Sequence, residues 1–178
     1  TEPQPVQLPP AQWRHRAALF VQRCEQYLWT DAGQRARTYL RQRGLTDETI
    51  KQYRLGLNPK FAKGGGGEWG LDRDVSRAMG VTIPRYGVGE LWAVNIRRLN
   101  DDHTPYAGEN KYLQVTGGSV QALFNCDAIT TGTAAIIATG GELDAILCQQ
   151  FAPNSVACVS IGAEGYTLKP PFRSSVES

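Results

Sequence analysis

The sequence has 178 residues, of which 41% are hydrophobic and 9% aromatic, which suits one medium domain or two small ones with a packed core and excludes a disordered chain. The formal net charge of +2 is too small to indicate nucleic acid by itself, although local groups of arginine and lysine can bind phosphate. The four cysteines form no C-x-x-C pair, and no stretch is a secretory signal or a membrane span, so we expect no zinc site, reduced cysteines and a cytoplasmic protein.

Residues 1–10 are rich in proline and glutamine and are predicted to form a flexible leader. Three helices follow, the second ending near Gly44 and the third capped by Thr46. The first helix is indicated by an apolar stripe at helical spacing: Trp13, Ala17, Phe20, Val21, Cys24, Tyr27 and Leu28. Arginines crowd this helical third, either as a phosphate-binding patch or as an ordinary solvated surface.

The middle of the chain changes from helical to β patterning. Gly56 and Asn58 are predicted to close the helical region, and the four glycines 64–67 to form a flexible surface loop. Residues 71–79 are predicted to form a short helix that ends at Gly80. Strands are expected at residues 81–84, 91–99 and 111–115, because β-branched and aromatic residues dominate there.

A compact βαβ unit follows from residue 134. A buried strand (135–138), a glycine turn at Gly140 and Gly141, a helix (142–150) and a second buried strand (156–160) are expected. Glu142 and Asp144 lie where the first strand passes into the helix, which is where open α/β sheets place their chemistry. With Lys111 and Tyr112 upstream, the pattern suggests metal-dependent chemistry on nucleic acid, and an ordinary sheet with solvated charges is the alternative.

The order of these motifs resembles the catalytic core of DnaG-type bacterial primases and their phage and mobile-element relatives. The resemblance runs over residues 39–162 and is carried by four short segments: Tyr39 to Gly44 with Leu55-Gly56, Val94 to Leu99, Lys111-Tyr112-Leu113, and Leu123-Phe124-Asn125. It implies an α/β protein: an α+β N-terminal subdomain at 11–130, helical and then β-rich, and the start of a TOPRIM-like βαβ sheet at 131–178. It also implies DNA-templated synthesis of RNA primers by nucleotidyl transfer, in DNA replication.

The resemblance implies a metal site that this sequence only partly matches. In the family, Glu-Gly-x-x-Asp follows the first TOPRIM strand, and this pattern falls on Gly140, Gly141 and Asp144. Gly140 therefore takes the position of the family's catalytic glutamate, and no Asp-x-Asp strand follows before residue 178. Glu142 is a variable position, expected to be exposed in the first helical turn, where it and Asp144 remain weak metal ligands.

The resemblance also implies roles for residues around the groove. Lys111 and Tyr112 would lie near template and nucleotide, Arg97 or Arg98 near the incoming phosphates, and Gly141 and Gly162 where backbone approaches the site. Strand alternation puts Arg97 and Arg98 on opposite faces, so one of them is expected to face the groove. From the residues alone, Tyr112 can equally pack in the core and Lys111 can be an ordinary solvated cation.

Several functional interpretations follow. The first is a primase fragment, inactive as it stands, whose intact parent uses Mg²⁺ or Mn²⁺, while these residues bind neither tightly. Its partners would be a single-stranded DNA template, nucleoside triphosphates and a replicative helicase, with no membrane. A non-catalytic nucleic-acid-binding TOPRIM-like module is the alternative, and a piece of a TOPRIM nuclease or topoisomerase is a third. The start at Thr1 and the end soon after a strand favour an excised fragment.

Overall fold

The protein has an α+β fold, as the sequence predicts, and a computed structural model describes residues 7–119 and 122–162. The α-helices are α1 (Ala11–Leu28), α2 (Gln34–Gln42), α3 (Asp47–Gln52) and α4 (Glu142–Phe151). The strands are β1 (Gly56–Asn58), β2 (Ala62–Gly64), β3 (Val75–Arg77), β4 (Gly80–Gly87), β5 (Glu90–Arg98), β6 (Tyr112–Gln114), β7 (Ala135–Thr139) and β8 (Val156–Ser160).

The three N-terminal helices form where the apolar spacing predicts them. The stripe on α1 is buried from Trp13 to Leu28, because residues three and four apart share one face of a helix. The turn after α2 contains Gly44 at φ +94°, which a glycine adopts without strain. The Thr46 hydroxyl then accepts a hydrogen bond from the first turn of α3. Within the described ranges, no helix is both long and apolar enough to span a membrane.

The helices pack on a four-stranded antiparallel sheet with the strand order β1-β4-β5-β6. One core cluster lies between this sheet, α2, α3 and α4, and a second lies between the sheet and α1. Trp13 and Trp69 meet in the second cluster with ring centroids 6.2 Å apart. The sheet therefore connects the helical third to α4.

Two strands in the first half of the chain were not predicted. The helical region does close before Gly56, as predicted, and Gly56–Asn58 then forms β1, because it pairs with β4. Residues 71–79 do not form a helix: they contain a loop and β3, which pairs with β2. Val75 is fully buried in the α1 cluster, and strand pairing and this burial outweigh the weak local helical pattern.

The glycine tract is structured rather than a flexible loop, which corrects a second prediction. Gly64 ends β2, and residues 66–69 form a single 3-10 turn. Gly66 is buried, and a Cβ there would lie 2.1 Å from the carbonyl oxygen of Arg73. A Cβ on Gly67 would meet nothing within 4 Å. Close backbone approach therefore explains one glycine of the tract and not its neighbour.

The βαβ unit is present, but its first strand is not buried as predicted. β7 and β8 are parallel and α4 connects them, with Ala135 paired to Val156. β8 is buried from Ala157 to Ser160, whereas Ile136 and Ile137 on β7 are 39% and 43% exposed. Among the described residues, this sheet has only these two strands, so β7 has no second neighbour to cover it.

Candidate nucleic-acid interface

The start of α4 is joined to the antiparallel sheet by a buried carboxylate. Glu142 is 3% exposed, so the prediction that it lies in solvent is wrong. Its Oε1 accepts hydrogen bonds from Arg85 Nη2 and from Asn95 Nδ2, both at 2.6 Å. Arg85 is also 3% exposed, and its Nη1 donates to the carbonyl oxygen of Ala122 at 3.0 Å. We call Arg85, Glu142 and the half-buried Asn95 the buried triad.

Strand geometry explains why these polar side chains meet. β4 and β5 are paired neighbours, with Ile83 opposite Asn95 and Arg85 opposite Ala93. Residues two apart on a strand share a face, so positions 83 and 85 of β4 lie on the same side as positions 93 and 95 of β5. The buried arginine and the amide therefore point to the same partner. A buried charge requires a partner, which the first turn of α4 supplies.

A second ion pair connects α2 to α4 nearer the surface. Arg43 Nη2 lies 2.6 Å from Asp144 Oδ1, with the two side chains 33% and 58% exposed. The side chain of Gln150 reinforces this contact, because its amide donates to the carbonyl oxygen of Gly44 and accepts from the backbone N–H of Thr46. The turn between α2 and α3 is therefore held against one side of α4.

Tyr112 lies between these two connections. The Arg97 guanidinium stands over its ring at 5.5 Å from the centroid. Arg97 is itself buried, and its Nη1 donates to the backbone carbonyls of Tyr106 and Lys111 at 3.0 and 3.3 Å. Arg97 therefore fixes the β6 segment and the Tyr112 ring through Nη1 and the face of its guanidinium.

The electrostatics show that Tyr39, Arg43, Arg97 and Tyr112 form one group, which we call the arginine–tyrosine cluster. Burial, followed by the neighbouring Tyr39, raises the pKa of Tyr112 to about 12, although Arg43 and Arg97 act to lower it. Burial acts to lower the pKa of Arg43, but Tyr39, Tyr112 and Asp144 outweigh it, so the pKa is raised. Both raised pKa values keep the Tyr112 ring neutral and Arg43 charged at neutral pH.

Cations also lie on the outer side of this group. Arg98 stacks on Tyr106, with its guanidinium 3.9 Å from the ring centroid, and donates to the carbonyl oxygens of Glu109 and Asn110 at 3.3 Å. Lys111 is exposed, and Tyr112 is 38% exposed. Arg97 and Arg98 do lie on opposite faces of β5, as strand alternation predicts. An accessible ring flanked by cations is the kind of surface that binds single-stranded nucleic acid.

The carboxylates near α4 do not fit a divalent metal. Gly140 brings no side-chain donor, Asp144 is paired with Arg43, and the Glu142 carboxylate is bonded to Arg85 and Asn95. Mg²⁺ and Mn²⁺ need several free oxygen ligands. Over residues 7–119 and 122–162, no group of three or more histidine, cysteine, aspartate or glutamate side chains is placed to hold a metal ion.

The three glycines predicted near the site differ in their geometry. Gly141 is the residue before α4, with extended backbone, and no side chain caps the helix there. Gly140 is exposed beside it. Gly162 follows β8 at φ +90°, and a Cβ there would lie 3.5 Å from Arg85 Nη2. Gly162 therefore lies beside the buried triad.

Sequence reasoning did not select Tyr39, Arg43, Arg85 or Asn95 as site residues. Arg85 and Asn95 do leave a signal, because a charge and an amide interrupt apolar strand segments and must find partners if those segments are buried. Arg43 gives no such signal in the sequence. It is one of many arginines in the helical third, and only its ion pair with Asp144 on α4 distinguishes it.

Comparisons with known proteins identify the fold. No protein-family model matches this chain, and no curated protein is similar to it. Among solved structures, the RNA polymerase domain of Mycobacterium tuberculosis primase DnaG in complex with double-stranded DNA is similar, with 17% identity and a TM-score of 0.69, covering 94% of this chain and 59% of that chain.

Two further primase structures agree. The DnaG primase catalytic domain bound to single-stranded DNA has 19% identity and a TM-score of 0.66. The match covers 88% of this chain and 55% of the chain of that catalytic domain. The E. coli primase catalytic core has 19% identity and a TM-score of 0.63, covering 89% and 55%. The chain therefore has a DnaG-like fold, and it spans a little more than half the length of these structures.

Proposed function

We propose that this chain is the DNA-binding part of a DnaG-type primase core, with β7, α4 and β8 as the start of its TOPRIM-like sheet. The likeness of fold supports the proposal, since it extends over 94% of the chain to a primase domain in complex with DNA. The observation that carries it is the position of the arginine–tyrosine cluster, which brings Tyr112 and the cations around it beside the start of α4. This surface, which we call the groove, takes single-stranded DNA.

Within this proposal, the residues divide the work of binding. Lys111 contacts phosphate as an exposed point charge, and Arg98, which stacks on Tyr106 on the other face of β5, is left outside this surface. Tyr112 stacks on a base, and Arg97 positions the ring by holding the surrounding backbone. The DNA strand finds room at the end of the parallel sheet, where three glycines carry no side chain: Gly140, Gly141 and Gly162.

Primer synthesis belongs, in this proposal, to the intact parent protein with a nucleoside triphosphate substrate, in the cytoplasm and beside a replicative helicase. The residues described here do not by themselves perform nucleotidyl transfer, because Gly140, Glu142 and Asp144 do not supply the free carboxylates that a Mg²⁺ or Mn²⁺ ion needs. Catalytic and metal-binding roles for Asp144 remain proposals about the parent.

A second candidate function is a non-catalytic nucleic-acid-binding module. The buried triad favours it, since Arg85 and Asn95 already satisfy the carboxylate that stands closest in sequence to the family's glutamate position. Magnesium- or manganese-dependent primer synthesis separates the two candidates. The chain as given should synthesise no primers, and a parent form with glutamate restored at position 140 should gain activity only if the first candidate is right.

The binding proposal is tested by fluorescence anisotropy with a labelled oligothymidine. Tyr112→Leu should weaken binding by about 5- to 150-fold, because base–aromatic stacking contributes about 1–3 kcal/mol, whereas Tyr112→Phe keeps the ring and should bind almost normally. Lys111→Ala should also reduce the dependence of log affinity on log salt concentration by about 0.7.

Arg73→Ala is the matched control, since it removes an exposed cation in the loop before β3. It should leave the affinity unchanged. Equal losses in Arg73→Ala and Lys111→Ala would reduce the interaction to nonspecific charge attraction. Unchanged binding by Tyr112→Leu would exclude the groove.

A further inference from the structure

A second basic cleft lies between α1 and the segment that joins β1 to β2. It encloses about 330 Å³ and shares no lining residue with the arginine–tyrosine cluster. Arg23 projects into it from α1, Lys60 from the segment after β1, and Arg77 from the end of β3. The aromatic side chains of Phe20 and Tyr27 form part of the wall. No aspartate or glutamate lines the cleft.

Among the described residues, no carboxylate forms an ion pair with these three cations, and Glu68, which lines the adjoining hollow with Arg23 and Arg77, is paired with Arg16. The ion pairs of the described residues engage seven arginines, and none of them is Arg23 or Arg77; no lysine is paired. The nearest acidic residue in sequence, Glu25, is committed to Arg54 at 2.8 Å. The cleft therefore concentrates positive charge in a concave, partly apolar place, which strengthens its attraction for an anion.

Arg77 gives an independent sign of a ligand. Its Nε is buried and has no hydrogen-bond partner among the described residues. Its guanidinium lies 5.5 Å from the centroid of the Trp69 ring. The Asn58 amide donates to the carbonyl oxygens of Lys60 and Ala78 at 2.9 and 2.6 Å, which fixes the backbone on both sides of the cleft. Because buried N–H groups normally have acceptors, an orphaned donor in a preformed basic cleft points to an absent acceptor.

We propose that this cleft is a second binding site, which takes the phosphate of a nucleotide between Arg23, Lys60 and Arg77. Guanidinium groups match phosphate oxygens through planar, paired donors, and Tyr27 offers an apolar surface to the base or sugar. The choice of a nucleotide rests on the proposed function, whereas the anion site does not. The ligand is either a free nucleotide or one unit of a bound strand.

The arginine Nε–H signals of the full chain, observed by ¹H–¹⁵N NMR, test this directly. Arg77→Lys assigns the signal of interest. Thymidine 5′-monophosphate should shift it saturably, inorganic phosphate should shift it more weakly, and thymidine should have no effect. Arg23→Gln should weaken binding of the monophosphate at least fivefold. Lys63→Gln removes an exposed lysine of β2 that does not line the cleft, and it should change nothing.

A signal that never saturates, an equal response to thymidine, or an equal loss in Lys63→Gln would overturn the proposal. Two arms separate the sources of phosphate: dT12 displaces the monophosphate if the site serves a strand, and leaves it bound if the site serves free nucleotide. Tyr112→Leu keeps the test independent of the groove. Monophosphate binding that persists in this variant supports the second site even where the groove itself fails to bind DNA.

Discussion

The buried triad makes a quantitative prediction about stability. Glu142→Gln leaves Arg85, at 3% exposure, without its carboxylate, while the amide oxygen can still accept from Asn95. Removing one partner of a buried ion pair costs about 3–5 kcal/mol, because the remaining charge stays out of water without compensation. Since domains of this kind are stable by about 5–15 kcal/mol in total, the variant should be close to marginal.

A double-mutant cycle separates the ion pair from other effects of substitution. Arg85→Met and Glu142→Met should each cost a similar amount, and the double variant should recover most of the loss, since a well-packed apolar pair often equals a buried ion pair. About 1 kcal/mol should remain lost, because the carbonyl of Ala122 no longer receives its hydrogen bond from Arg85. The measurement is urea denaturation followed by tryptophan fluorescence, comparing midpoints at constant m value.

Arg41→Met is the control for this cycle. Arg41 makes two hydrogen bonds to Asp47, each at 2.8 Å, but this pair lies at the surface of α2 and α3. Solvent screens such pairs, so this variant should shift the urea midpoint far less than Glu142→Gln. Equal shifts in the two variants, or a double variant as unstable as the sum of the single ones, would refute the view that the triad is a desolvated ion pair.

Three further predictions follow from other parts of the structure. Gly66→Ala should lower the free energy of unfolding in urea by about 1–3 kcal/mol, because its Cβ would lie 2.1 Å from a backbone carbonyl oxygen. Gly67→Ala should be neutral, because its Cβ would meet nothing within 4 Å. Equal effects of the two substitutions would contradict the packing argument. Ile137→Lys places a charge on the exposed strand β7, so it should reduce concentration-dependent self-association in sedimentation velocity without loss of stability. Unchanged association would show that the β7 edge is not the surface through which the copies associate. Burial raises the pKa of the Cys24 thiol to about 12 from an ordinary 9.0. Above about pH 9 the thiol loses its proton in the unfolded chain but not in the folded one, so the free energy of unfolding should fall as pH rises. The fall should be shallower in Cys24→Ala, and identical pH profiles of the two proteins would contradict the assignment.

Elements whose structure depends on neighbouring residues were predicted from the sequence, whereas elements that depend on distant partners were not. The helix α1, the Thr46 cap and the turn at Gly44 were predictable, because apolar spacing, a capping hydroxyl and a positive φ are properties of a few neighbouring residues. The strand β1 and the strand β3 were not, because three residues gain strand structure only from their partners β4 and β2.

The sequence alone determined the three N-terminal helices, the βαβ unit and the resemblance to primases that the fold comparisons then supported. It also placed Lys111 and Tyr112 together with the start of α4 in one interpretation. Tertiary structure alone decided that Glu142 is buried, because its burial depends on Arg85 and Asn95, which are 57 and 47 residues away in the chain. It also decided that Arg97 donates to backbone carbonyls, and that Arg43 pairs with Asp144. The charge and shape of a site depend on residues that are far apart in the sequence, so a pattern of neighbouring residues does not predict them.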